Sequence, residues 1–248
     1  MSRTAVYSAL VLRNRSSGDS NSEVTLLTAE EGIVRTTVFG GPKSKLRAHS
    51  APYNSGQVWI YRDPAKDYGK LSDFDVLSWR PGLRELYERT MAASAVAQTI
   101  LSTHGGGGDW SIALKLAVAS LDALESANEE LCPRLLVHFL WRWTQFLGIQ
   151  PYLECCASCG QGEDDSLWYS SRESAVLCIN CITDSSEQTN SLLKLNPGCR
   201  RWFAAVEQIE PSFLYRYSMD NKSFHEAKSL ITSVMAGALG KRLASWDW

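Results

Sequence analysis

Two pairs of cysteines separated by a short segment constrain this chain more than any other feature. Each pair has the spacing Cys-x-x-Cys: Cys156 and Cys159 form the first pair, and Cys178 and Cys181 form the second. A gap of two residues lets both thiolates of one tight turn occupy adjacent corners of a tetrahedron. Gly160 follows the first pair, and a residue free to adopt positive φ helps to close such a turn. The spacing therefore predicts a structural site in which four sulfurs bind one zinc ion, Zn2+.

The spacing leaves other uses of these cysteines open. Cys155 could replace Cys156 as a ligand, although the two turns are equivalent only with Cys156. Two unrelated pairs could instead form a redox dithiol or pack in a core, but a redox motif is expected near a βαβ pattern, which is not evident here. The apolar runs at residues 167–170 and 175–177 predict a β-hairpin between the turns, and hence a zinc ribbon.

The first 80 residues have the pattern of a small β-domain. Five short runs favour strands, and turn signals such as Glu31-Gly32 and Asp63-Pro64 separate them. Five strands in so short a segment predict a closed barrel, because closure leaves no free sheet edge. The leading candidate is a five-stranded OB-fold. The predicted strands cover residues 8–13, 22–28, 33–39, 57–62 and 71–77.

Helical periodicity replaces the β pattern from Pro81 onward. The predicted helices cover residues 83–102, 110–126, 129–147, 197–208 and 223–243. We therefore predict an α+β multidomain protein in which the helices form one bundle and the zinc ribbon is inserted between its halves. The predicted division is an OB-fold nucleic-acid-binding domain at 1–80, a first helical part at 81–150, a zinc-binding insertion at 151–185 and a second helical part at 186–248.

Charge and missing motifs favour a binding protein over an enzyme. The formal net charge is −2, which excludes a protein held to nucleic acid by bulk charge but permits a local basic face. The densest basic stretch contains Lys43, Lys45 and Arg47, and we predict it to be a rim loop of the barrel. Barrel aromatics could stack on bases beside it, although a solvated loop with core aromatics fits equally. The aromatic candidates are Trp59, Tyr61 and Tyr53. The sequence contains no Gly-x-Ser-x-Gly, His-Glu-x-x-His or Gly-x-Gly-x-x-Gly motif.

The order of these motifs resembles the RecO family of bacterial DNA repair proteins. The resemblance is carried by the Phe139-to-Pro151 helix end, by the cysteine pairs after it, and by Phe39-Gly-Gly-Pro-Lys-Ser44 after the third strand. It implies an N-terminal OB-fold, a helical domain and a zinc-bearing insertion. It also implies a cytoplasmic, nucleoid-associated recombination mediator without catalytic turnover that binds single- and double-stranded DNA and anneals complementary strands.

The resemblance further implies partners and site residues. Such proteins act with RecR to load RecA, and they contact the acidic C-terminal tail of single-strand-binding protein. By position, the four cysteines match the zinc ligands, and the family's basic segment falls on Lys43, Lys45 and Arg47, with Arg13, Arg15 and Arg35 as further DNA-contact candidates. The tail-binding groove is expected near the Phe139 helix, at Arg134, His138 and Arg142. The alternative is a zinc-ribbon adaptor whose barrel binds peptide rather than DNA.

Overall fold

The chain folds into two compact units, Met1–Glu129 and Glu130–Trp248. A computed structural model describes residues 3–18, 20–40, 44–62, 69–162, 165–183 and 192–246. Within this part of the chain, none of the helices combines the length and the apolar character needed to cross a membrane.

A closed five-stranded barrel forms the centre of the first unit. Its hydrogen-bonded order is β1-β2-β3-β5-β4, and β4 pairs back onto β1. Neighbouring strands are antiparallel except for β3 and β5, which are parallel. The predicted OB-fold is therefore confirmed. The strands are β1 Thr4–Ser17, β2 Asn21–Thr28, β3 Gly32–Val38, β4 Ser55–Arg62 and β5 Gly69–Ser78.

Alternation of side chains along the strands fills the barrel interior. Successive residues of a strand point to opposite faces, so every second position of each strand enters the core. The interior cluster consists of Tyr7, Ala9, Val11, Val24, Leu26, Val34, Val38, Val58, Ile60, Leu71 and Phe74. The intervening residues form the outer face, which is where the candidate nucleic-acid contacts lie.

Two helices cover part of this outer face. They are α2 Tyr87–Ser102 and α3 Trp110–Ser126, and they pack on β1 and β2. Asp109 caps α3, since its carboxylate accepts hydrogen bonds from the N–H groups of Ser111 and Ile112. Gly32 has a φ of 68°, and a Cβ atom there would lie 2.7 Å from the Trp110 ring, so this turn requires glycine.

The buried Arg80 side chain joins this helical layer to the barrel. Its Nε donates a 2.7 Å hydrogen bond to Asp122 on α3, and its Nη1 donates 2.6 Å and 3.0 Å hydrogen bonds to the Tyr53 carbonyl and the Ser55 hydroxyl. A buried guanidinium with these partners holds three segments of the unit together.

Two features of the first unit differ from the prediction. The predicted rim loop contains a short helix, α1 Lys45–His49, whose C-terminal end accepts hydrogen bonds from Asn14 and Asn54 side chains. The single predicted bundle is divided, because α2 and α3 cover apolar side chains on the outside of the barrel and group with it. The fully buried outward residues beneath this helical layer include Leu10 and Leu27.

The second unit combines helices with a small sheet. Helix α7 packs against α4, α6 and β8, and β6 pairs with both β7 and β8. The elements are α4 Leu131–Phe146, β6 Leu167–Ser170, β7 Ala175–Leu177, α5 Ile179–Thr183, β8 Leu192–Leu195, α6 Pro197–Val206 and α7 Asn221–Leu239. Short 3₁₀ turns occupy Pro81–Arg84 in the first unit and Pro211–Arg216 and Ala244–Trp246 in the second.

The predicted hairpin at residues 167–177 is confirmed, but β8 is an additional strand that the sequence did not reveal. The predicted boundary between the zinc-binding insertion and the second helical part, at residues 185 and 186, lies outside the described residues.

Candidate metal centre and nucleic-acid interface

Four cysteine sulfurs converge in the second unit. The Sγ atoms of Cys156, Cys159, Cys178 and Cys181 all lie within 4.8 Å of one another, and those of Cys159 and Cys178 are 3.6 Å apart. Four sulfurs at about 2.3 Å from a tetrahedral ion would be separated by about 3.8 Å, so the cluster could hold a metal ion. Cys155 is not a member of this cluster, so the geometry favours Cys156 over Cys155 as a candidate ligand.

Backbone hydrogen bonds shape both cysteine turns. The Gly160 N–H donates to the Cys156 carbonyl at 2.9 Å, and Gly160 has a φ of 75°. The Ala157 N–H donates to the Val176 carbonyl of β7 at 2.9 Å, which fixes the first turn against the strand leading into the second pair. The predicted role of the glycine and the predicted position of the hairpin therefore agree with the geometry of the site.

A buried arginine from α6 supports the first turn. Arg200 Nη1 donates to the carbonyls of Leu153 and Glu154 at 3.0 Å and 2.9 Å. Its Nη2 donates to the carbonyls of Gly162 and Asp165. These acceptors lie on both sides of Cys156 and Cys159, so one guanidinium holds the two ends of the segment that carries the first pair. The sequence gives no signal for this role.

The electrostatics of the site favour thiolate at Cys156. Burial raises the pKa of this thiol, but hydrogen bonds with the backbone of Cys178, Cys159 and Ser158 lower it, and the net result is a pKa of about 6. Thiolate is the form that binds metal. Among the described residues the candidate donors are four sulfurs, a set that suits a closed structural site.

A row of basic residues crosses the outer face of the barrel. Arg13 on β1 is the cross-strand partner of Thr25 on β2, and Thr25 is the partner of Arg35 on β3. Directly opposed residues project from the same face of a sheet. The two arginines are two strands apart, so their Cα atoms are separated by about 10 Å. The structure therefore brings together two candidates that are 22 positions apart in the sequence.

A second row lies one step further along the strands. It runs from Arg15 through Glu23 and Thr37 to Lys70 on β5. All of its charged members are exposed. The two rows contain four cations and one carboxylate, and we refer to Arg13, Arg15, Arg35 and Lys70 as the basic face. Sequence reasoning missed Lys70, because only the parallel pairing of β3 with β5 places it beside Thr37.

The basic residues of α1 lie next to the basic face. Arg47 Nη2 donates to the Ser16 hydroxyl of β1 at 3.4 Å, one residue from Arg15. Lys45 is exposed at the start of the helix. Lys43 lies outside the described residues.

The aromatic candidates have different surroundings. Trp59 on β4 lies between Val6 of β1 and Asp73 of β5. Tyr61 is the partner of Lys70, and its hydroxyl accepts a 3.2 Å hydrogen bond from Arg3. Tyr53 is half-buried, and burial raises its pKa. Of the three residues, only Tyr61 borders the basic face.

The second unit contains a pocket of about 300 Å³. Its apolar wall includes Trp141 of α4 and Phe203 of α6, whose ring centroids are 4.3 Å apart. Charged residues also line it, and they comprise Arg200, Arg201, Glu154 and Glu207. Since Arg200 is engaged with backbone carbonyls, Arg201 is the exposed cation of the pocket wall.

The three basic residues of α4 that were predicted to bind the tail of single-strand-binding protein do not line this pocket. They are Arg134, His138 and Arg142. His138 is fully buried, and its Nε2 is hydrogen bonded to the Val206 carbonyl at 3.2 Å. His138 is therefore removed from the residues that could contact a partner. Arg142 donates to the Ile209 carbonyl at 3.4 Å and Arg134 to the Glu130 carbonyl at 3.3 Å, so both bind backbone within their own unit.

Together, the fold and the sites define a multidomain protein with an OB-fold barrel, a basic outer face and a four-cysteine centre. Comparison with known proteins gives the family. A family model described as "Recombination protein O N terminal" matches residues 1–80, and one described as "Recombination protein O C terminal" matches residues 84–247. The chain belongs to the RecO family of DNA repair proteins.

Individual relatives match over most of their length. DNA repair protein RecO of Desulfitobacterium hafniense strain DCB-2 is 28% identical in an alignment of 254 positions. The alignment covers 96% of this chain and 86% of the relative. RecO of Bacillus subtilis is 24% identical, with 90% and 84% covered. RecO of Anaeromyxobacter dehalogenans is 26% identical, with 97% and 94% covered.

The burial of His138 predicts a pH dependence of stability. Burial, followed by the nearby Arg142 charge, lowers the pKa of His138 from 6.5 to about 4 in the folded chain. Between these pH values the unfolded chain binds a proton that the folded chain does not bind. The free energy of unfolding should therefore decrease by about 3 kcal/mol from this residue as the pH falls from about 6.5 to about 4.

Urea unfolding of the full chain and of His138→Gln at several pH values tests this prediction. Glutamine keeps a donor for the Val206 carbonyl but does not bind a proton in this range. The variant should lose less stability on acidification than the parent. Parallel pH profiles for the two proteins would contradict the assignment.

Proposed function

We propose that this chain is a DNA-binding recombination mediator without catalytic turnover. It anneals complementary strands and, with RecR, helps to load RecA onto DNA coated by single-strand-binding protein in the cytoplasm, at the nucleoid. The observation that carries the proposal is the basic face of the barrel, together with membership of a DNA repair family. The proposed roles of RecR and RecA are inferred from that family membership.

The basic face suits a phosphate backbone. Four cations on β1, β3 and β5, with Lys45 and Arg47 beside them, form a stripe that a nucleic-acid strand can follow. Such contacts release counterions and do not depend on base sequence. A protein that anneals complementary strands must bind strands of any sequence, which backbone contacts permit. The same contacts serve single- and double-stranded DNA.

The cysteine centre has a structural role in this proposal, with one zinc ion bound by Cys156, Cys159, Cys178 and Cys181. Sulfur separations near those of a tetrahedral zinc site support it. The ion would link the loop held by Arg200 to the hairpin formed by β6 and β7. With four protein ligands, such a site leaves no position for a reacting water molecule.

The pocket beside α4 is our candidate site for the acidic tail of single-strand-binding protein. Its Trp141 and Phe203 rings offer an apolar surface, and Arg201 offers an exposed cation for a carboxylate. Trp141 of the Phe139 helix lines the pocket, and the pocket's cations come from α6 rather than from Arg134, His138 and Arg142.

Removing charge from the basic face should weaken DNA binding. In Arg13→Gln/Arg35→Gln, two phosphate contacts are lost. The slope of log K against log salt for single-stranded DNA should become less steep by about 1.4, at roughly 0.7 per phosphate. Fluorescence anisotropy with a labelled oligonucleotide at several salt concentrations measures both affinity and slope. Lys115→Gln, which removes an exposed cation from α3, is the control and should change neither.

Two results would count against the DNA proposal. If the unmodified chain neither binds single-stranded DNA at low salt nor anneals complementary strands with RecR present, the proposed function is wrong. If it binds but the double variant binds equally well, the basic face is not the site. A peptide-binding adaptor would show no response to these substitutions in a DNA assay.

The metal proposal predicts one zinc ion per chain in protein purified without chelators. Elemental analysis of the full chain measures it. Cys178→Ser should lose the ion because it removes one of four ligands. Cys155→Ser should retain it, since Cys155 lies outside the cluster. Equal zinc contents in the two variants, or metal-free parent protein, would contradict the assignment.

The tail proposal predicts that reversing one charge weakens peptide binding. Arg201→Glu should reduce the affinity for a peptide that matches the C-terminal tail by about tenfold or more, because a carboxylate then meets a carboxylate. Arg134→Glu, outside the pocket, should bind like the parent. Calorimetric titration distinguishes the two. A loss of peptide affinity in Arg134→Glu alone would show that the tail does not bind in the pocket.

A further inference from the structure

We propose that Phe39, backed by Lys70, stacks on an unpaired base and gives the basic face a preference for single-stranded over double-stranded DNA. This inference rests on the proposed DNA-binding function. It adds a residue that distinguishes single-stranded from double-stranded DNA. Phe39 directly follows β3 and Lys70 lies on β5, so the two residues meet only in the folded barrel.

Phe39 directly follows β3 and continues its outward positions. Val34 and Val38 of β3 point into the barrel, so Arg35, Thr37 and Phe39 lie on the outer side. The Phe39 side chain is 41% exposed although it is large and apolar. A strand bound along the basic face would pass this ring after passing Arg35.

Lys70 is placed against the ring by the closure of the barrel. Thr37 is paired with Lys70, and the Thr36 hydroxyl donates a 3.0 Å hydrogen bond to the adjacent Gly69 carbonyl. The Lys70 ammonium lies 5.8 Å from the centre of the Phe39 ring. This cation orients the ring by a cation–π interaction and supplies positive charge for the phosphate beside a stacked base.

The surroundings of Phe39 distinguish it from the tryptophans of β4 and of the residue that follows β5. Trp59 is only partly exposed and is paired with Asp73, whose carboxylate opposes the approach of phosphates. Trp79 packs edge-on against the His49 ring, with the two ring centroids 5.1 Å apart. Phe39 lies one outward position beyond Thr37, beside Lys70 at the end of the basic face, where a phosphate backbone is attracted.

Stacking discriminates between strand forms for a simple reason. Every base has an aromatic face, so contact with Phe39 does not require a particular sequence. In a duplex, those faces are covered by neighbouring base pairs, whereas an unpaired base can turn toward the protein. Phosphate contacts are available in both forms. Phe39 therefore adds affinity for single strands without changing the number of phosphates bound.

The test compares an oligothymidine with a duplex of the same length, using the full chain and anisotropy at fixed low salt. Phe39→Leu keeps an apolar side chain but removes the aromatic face. We expect about tenfold weaker binding of the oligothymidine, unchanged binding of the duplex and an unchanged salt slope. Phe39→Tyr should restore the affinity, and Tyr87→Leu, which removes an exposed ring from α2, should have no effect.

A second readout reports stacking directly. A single 2-aminopurine in an oligonucleotide changes its fluorescence when it stacks on a ring, and this change should be smaller with Phe39→Leu than with the parent chain. If Phe39→Leu leaves both affinities unchanged, or weakens both forms equally, the inference is wrong while the proposed DNA binding stands. If the parent chain binds neither form, the proposed function itself fails.

Discussion

Closure of the barrel between β3 and β5 is the constraint on which the candidate DNA-binding surface depends. The join is short: Thr37 pairs with Lys70, and Thr36 donates to the carbonyl of Gly69. It brings Lys70 from the last strand to the outward positions of β3. Without this contact, the arginines of β1 and β3 would still share a sheet. The row that begins at Arg15 would then end at Thr37 and would lack Lys70. The interior packing that closes the barrel therefore also determines the charge pattern outside it.

Basic residues in the second unit show that positive charge in a sequence does not by itself mark a binding surface. Arg200 is buried among four backbone carbonyls, and Arg142 donates to the carbonyl of Ile209. His138 is neutral at pH 7, because burial lowers its pKa. These side chains satisfy buried acceptors, which would otherwise destabilise the fold. The cation available to a partner at the pocket is Arg201, which precedes the aromatic pair of α6.

Local patterns in the sequence were sufficient to predict the five barrel strands and the cluster of four cysteines, since alternation and two-residue gaps depend on neighbouring positions. Pairings between distant segments were not predictable in this way. Lys70 reaches the basic face only through a parallel contact, and β8 is a four-residue strand that pairs with β6 some 25 positions earlier. The helices were located correctly but grouped wrongly, because outward apolar residues such as Leu10 and Leu27 resemble core residues until α2 and α3 are seen to cover them. His138 was likewise predicted to lie at the tail-binding groove, but it is fully buried, and local sequence patterns do not reveal this burial.

The strand β8 also determines how the metal-binding segment meets solvent. Because β8 pairs with β6 on the side opposite β7, the backbone of β6 is hydrogen bonded along both of its flanks. The outer strands of this sheet are only three and four residues long. Short outer strands are poor templates for the addition of a foreign strand. Over the described residues, the ribbon therefore offers a second chain only short edges, which limits self-association through strand pairing.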